Sequence, residues 1–72
     1  MYKVKIHFEG TYHLDVIYNF KVIPRTNDFI QINSHNVTTN GTYLVTKVLL
    51  HVLKNDFRDS GFDATIFVTK SA

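Results

Sequence analysis

Residues 2 to 8 alternate without a break. Tyr2, Val4, Ile6 and Phe8 fall on one side of an extended chain, and Lys3, Lys5 and His7 fall on the other. A period of two puts every second side chain on one face of a sheet, so this segment reads as a half-buried strand. Glu9-Gly10-Thr11 follows with turn chemistry, Gly10 being free to take positive φ. A second alternation then aligns Leu14, Val16, Tyr18, Phe20 and Val22. The two runs predict an antiparallel hairpin whose outer face carries Lys3, Lys5, His7, Asp15, Ile17, Asn19 and Lys21.

Pro24 lacks an N–H and biases Ile23 towards extended geometry, so the second strand should end or bend at Ile23-Pro24-Arg25, with Thr26-Asn27-Asp28 as a polar turn. A short third strand is expected from Phe29 to Ile32 or Asn33. Ser34 to Thr42 is rich in Ser, Asn and Thr and ends near Asn40-Gly41, a strong hairpin signal, so it reads as a long hairpin loop. Tyr43 to Phe57 is ambiguous. Val45, Val48, Leu49, Val52 and Leu53 fall at helical spacing, but the Val, Thr and Tyr content and the preceding turn favour a strand. Asn55 to Asp63 is a polar connection, and Ala64 to Thr69 alternates again as a final strand.

The chain has 72 residues, too few for two separate cores, so 1–72 reads as a single domain. It contains no cysteine, which leaves burial of its six Phe, four Tyr and aliphatic residues to hold it together. Eight Lys/Arg against six Asp/Glu give a net charge of +2, too small an excess to mark a dense nucleic-acid surface. The first ten residues lack the continuous apolar stretch of a signal peptide, and no apolar run approaches the ~20 residues of a membrane span. A soluble, cytoplasmic protein is expected.

Five short strands with a bend at a proline after the second predict a mainly β fold, and they look like a small five-stranded antiparallel barrel of SH3-like type. The alternative is an α+β fold with a helix at 43–57 packed on a four-stranded sheet. The run Ile23-Pro24-Arg25-Thr26-Asn27-Asp28-Phe29-Ile30, followed by Gly41-Thr42-Tyr43-Leu44-Val45-Thr46-Lys47-Val48 and His51, resembles a pattern of small SH3-like β-barrel proteins of bacteriophages and mobile elements. Asn27 stands where that pattern usually has Gly, and Asn also accepts left-handed φ. The resemblance covers about 40 residues and implies a fold type, to which no single activity is attached.

Catalytic and metal chemistry find little support. His7, His13, His35 and His51 form no ligand-spaced pair, Ser34, Ser60 and Ser71 lack a nucleophile context, and Asp56, Asp59 and Asp63 lack the glycine and glutamate of a calcium loop. No enzyme and no cofactor are expected. His51 reads as a half-buried residue hydrogen-bonded to a neighbouring turn. Two binding readings remain. If residues 44 to 53 form a strand, both its faces are apolar, and one of its two rows, Leu44, Val48, Leu50 and Val52 or else Val45, Leu49 and Leu53, exceeds what so small a core can hide. The first row, with Ile17, is the expected protein interface. This favours a non-enzymatic protein-binding module and a homo-oligomer, and the resemblance implies a phage or mobile-element accessory protein docking on a host or virion protein. The alternative is nucleic-acid binding through Lys3, Lys5, Lys21 and Arg25, although Tyr2, Phe8, Tyr18 and Phe20 of the same strands are expected on the opposite face.

Overall fold

The computed structural model describes residues 1–33, 38–51 and 61–71. Five strands follow in order: β1 (Tyr2–Phe8), β2 (Val16–Phe20), β3 (Phe29–Ile32), β4 (Gly41–Leu50) and β5 (Ala64–Lys70). They form one curled sheet in the order β2-β1-β5-β4-β3, and there is no helix among the described residues. The strand reading of the fourth segment therefore holds over 41–50. Residues 52–57 of the helical alternative lie outside the described residues.

Two features of the expected barrel are corrected. The sheet is mixed, because β1 and β5 run parallel with Ile6 opposite Ile66, while the β1–β2, β4–β5 and β3–β4 pairs are antiparallel. Local turn signals specify hairpins between sequential strands, but they carry no information on how the first and last strands meet. The barrel is also not closed. β2 and β3 are the two edges, and no Cα of one lies within 8 Å of a Cα of the other, so the sheet is a half-barrel.

Alternation fills the concave side. Val4, Ile6 and Phe8 of β1, Ile66 and Val68 of β5, Tyr43 and Val45 of β4 and Ile32 of β3 are buried, with Val16, Tyr18, Phe20, Ile23, Ile30 and Val48 packed around them. Phe8 meets Tyr43 edge to face at 5.2 Å, joining the first and fourth strands across the core. Complete burial of a side chain of this size contributes about 1.5–3 kcal/mol, so this cluster carries most of the favourable free energy of so small a domain. β2 is shorter than expected, and Leu14 and Val22, assigned by alternation to its apolar face, lie outside the strand and are exposed.

Alternation breaks once, in β4. Val45 stands opposite Val68 and Lys47 opposite Phe67, so one extra residue, Thr46, is accommodated between them as a β-bulge. Lys47 thereby faces outwards and Val48 returns to the core side opposite Ile66. The Thr46 hydroxyl lies 2.6 Å from Glu9 Oε1 and 3.1 Å from the Phe67 carbonyl, and the Glu9 N–H donates to the Val68 carbonyl at 2.8 Å.

The proline turn is docked on the same strand. Asn27 takes φ 76°, the left-handed conformation suited to the third position of a tight turn, and the Asp28 N–H donates to the Arg25 carbonyl at 2.9 Å. The Asp28 carboxylate accepts the Arg25 N–H at 2.8 Å. The turn then pairs with β4: the Asn27 N–H donates to the Val45 carbonyl and the Val45 N–H to the Asp28 carbonyl, at 2.8 and 2.9 Å.

Candidate docking surfaces

Three surfaces are built by this sheet. The first is a groove of about 620 Å³ at the concave mouth, lined by Ile23, Pro24, Arg25, Thr26, Val48 and Leu50. The docked turn forms one wall and the end of β4 the other. Past the bulge, Val48 and Leu50 alternate towards the core side, where Leu50 passes beyond the packed interior and stays 66% exposed. A leucine this exposed beside Pro24 and Ile23 is apolar surface held open by backbone geometry.

The second is the convex face. Thr65 of β5 stands between Lys5 of β1 and Leu49 of β4, and Ile17 of β2 lies beyond Lys5. In the next row His7 and Lys47 flank Phe67. The His7 ring meets Phe67 edge-on at 5.2 Å, and Lys47 Nζ lies 4.9 Å from the Phe67 centroid. Phe62 folds over the sheet, 5.0 Å from Lys5 Nζ and edge-on to His51 at 4.6 Å. His51 Nε2 shares a hydrogen bond of 2.9 Å with Thr65 Oγ1, and this cover leaves Thr65 buried although it faces away from the core. Backbone pairing holds the corner: the Asp63 N–H donates to the Lys3 carbonyl, the Lys3 N–H to the Asp63 carboxylate, and the His51 N–H to the Asp63 carbonyl. Asp15 sits at the rim, 3.6 Å from Lys5 Nζ, and accepts the His7 Nδ1–H at 2.9 Å.

The third is the seam where the half-barrel fails to close. Tyr18 and Phe20 of β2 face Ile30 and Ile32 of β3 across a cavity of about 220 Å³, with Ile6 also lining it.

The residues expected at an interface do not form one surface. Val48 and Leu50 line the groove, while Leu44 stands opposite Thr69 on the convex side and Ile17, 51% exposed, lies beside Lys5 on that side. The bulge divides them, because a row read at even spacing through residue 46 changes face there. Val52 lies outside the described residues, as do Ser34, His35, Asp56, Asp59 and Ser60. Of the basic set, Lys3 and Lys5 share the convex face, Lys21 is exposed just after β2, and Arg25 lies in the groove.

Sequence reasoning missed Phe62, Phe67 and Lys47 as neighbours of Lys3 and Lys5. The alternation of Ala64 to Thr69 already set Phe67 apart from Ile66 and Val68, but nothing local shows that β5 lies beside β1. Among the described residues no group of three His, Asp or Glu could hold a metal ion, and no helix is long and apolar enough to cross a membrane. No protein-family model matches the chain, and no curated protein or solved structure shows significant similarity to it.

Proposed function

We propose that the chain is a non-enzymatic protein-binding module, a small SH3-like half-barrel that acts by docking on another protein. The observation that carries this reading is the groove between the proline turn and β4, where Leu50 is two-thirds exposed against Ile23, Pro24 and Val48. Exposed apolar surface of this kind is stabilised by a partner that removes it from water, at about 25 cal/mol per Å². The Pro24-Arg25 turn with left-handed Asn27, followed by Tyr43, Val45, Val48 and His51, supports kinship with phage and mobile-element barrels, and hence an accessory role on a host or virion protein in the cytoplasm. Ile17 and Leu49, half exposed on the convex face, support self-association as well. The test is Leu50→Asp: the substitution leaves the fold intact and abolishes association with the partner, whereas retained association would remove the groove from consideration.

A second reading has its own observation. Phe62 and Phe67 stand on the same face as Lys3, Lys5 and Lys47, the combination of cations and aromatic rings on which single strands bind. It ranks lower because Asp15 already engages Lys5, and Phe67 is half-buried between His7 and Lys47.

A further inference from the structure

We propose that the seam between β2 and β3 is a receptor for one extended, uncharged strand of a partner protein, which completes the barrel by pairing with both edges at once. This deepens the docking reading by naming the chemistry of a partner, at a site separate from the groove.

The argument begins with the edges. An open sheet edge presents unpaired N–H and C=O groups, and proteins usually blunt it with charge, proline or a bulge. Here the strand lysines lie on β1, β4 and β5 and the bulge on β4, all interior strands. The edges themselves read Val-Ile-Tyr-Asn-Phe (16–20) and Phe-Ile-Gln-Ile (29–32), with no charge and no proline. Among the described residues each has a strand partner on one side only.

The two edges also line one cavity, floored by Ile6, Tyr18, Phe20, Ile30 and Ile32 and rimmed by amides such as Asn19 and Gln31. Directly paired strands lie ~4.8 Å apart, and strands flanking one vacant position lie ~9.6 Å apart. The separation beyond 8 Å rules out direct pairing, and because residues of both edges line the same cavity, one ligand there can touch both.

Charge and chain inventory identify the occupant. A charged side chain inserted among Tyr18, Phe20, Ile30 and Ile32 would lose its hydration without a counter-ion, so the inward positions of the ligand are apolar and alternate. The described apolar segments of this chain with that pattern are already laddered in β1 to β5. Of the rest, 9–15 offer only Tyr12 and Leu14 between Glu9 and Asp15, 21–28 carry Lys21, Pro24, Arg25 and Asp28, 34–40 hold one apolar residue, Val37, and 52–60 carry Lys54, Asp56, Arg58 and Asp59. Within these 72 residues every strand of a second copy already has a neighbour and could pair with one edge only, so the occupant we assign is a segment of a different protein.

The test uses the full isotope-labelled chain and a capped synthetic peptide of alternating threonine and valine with a solubilising lysine at each end, titrated to about 1 mM, the range of ~4 kcal/mol binding. Three peptide variants are compared: the parent, one with the central valine replaced by lysine, and one N-methylated at alternate amides. Saturable binding is expected, with amide protection appearing together in Val16–Phe20 and Phe29–Ile32, and each altered peptide should bind at least tenfold more weakly. Leu50→Asp should bind the parent peptide unchanged, which separates this site from the groove. No binding, indifference to N-methylation, protection of a single edge, or protection of β2 by dimerisation without peptide would each overturn the proposal.

Discussion

Val45 and Val48 are three residues apart on one strand, yet both point to the same side of the sheet. The relationship holds because Thr46 is the extra residue of a β-bulge, which turns a separation of three into the same-face spacing that a regular strand reserves for two. It also explains the helical reading of this segment, since an interval of three is what one face of a helix would show.

Deletion of Thr46 should accordingly be tolerated. Val45 stays inward, Lys47 outward and Val48 inward, and the loss is the hydroxyl contact to Glu9 and Phe67, about 1 kcal/mol. Deletion of Leu44 has no such escape: absorbing it at the bulge turns Val45 outward and Thr46 inward, costing at least ~2 kcal/mol through lost burial and a buried hydroxyl. Urea unfolding of the two deletion variants, compared with the parent chain, measures the difference.

Asn27 holds φ 76° in the turn that docks on Val45. Asn27→Gly should be neutral within about 0.5 kcal/mol, while Asn27→Val should cost about 1–2 kcal/mol, because a β-branched residue is strained in the left-handed region. Denaturant midpoints of the two variants should fall on opposite sides of a 1 kcal/mol loss.

Tyr43 is buried and donates its phenolic proton to the Thr39 carbonyl at 2.9 Å. Burial, and secondarily the neighbouring Tyr18, raise its pKa above the ordinary value near 10. The folded chain therefore keeps a proton that the unfolded chain loses above pH ~10. This stability contribution is complete below that pH and is lost as pH rises through the folded value. Unfolding at pH 8 and pH 11 should show a fall in stability, and Tyr43→Phe should reduce that fall while lowering stability at pH 8 by about 1 kcal/mol through the lost hydrogen bond.

On the convex face, Lys3→Glu with Lys47→Glu discriminates the two functional readings. If docking on protein is the function, labelled single-stranded oligonucleotides should show no binding at ~50 mM salt for either the parent or the double variant. Binding that weakens by tens of fold between ~50 and ~200 mM salt and disappears in the variant would assign the face to nucleic acid.

Most of the strand content was readable from local pattern. The Tyr2–Phe8 alternation, the Gly10 turn and the Pro24–Asp28 turn each declare themselves within a few residues. Two determinants of the site were not local. The parallel β1–β5 contact joins residues sixty apart in sequence, for example Lys5 and Thr65, and no turn encodes it. The bulge depends on Glu9 and Phe67 gripping Thr46 from two other parts of the chain. The convex cluster around Phe62 and Phe67 and the division of the apolar row between two faces follow from these contacts.

Residue-by-residue amide hydrogen exchange of the free chain is the measurement that bears most directly on an open half-barrel with two bare edges. Alternate amides of Val16–Phe20 and of Phe29–Ile32, those pointing into the seam, should exchange at nearly unprotected rates, while amides of β1 and β5 are protected to the level of global unfolding. Uniform protection of both edges in a monomeric chain would mean that β2 and β3 pair with each other and the barrel is closed, and would contradict the seam on which the strand-receptor proposal depends.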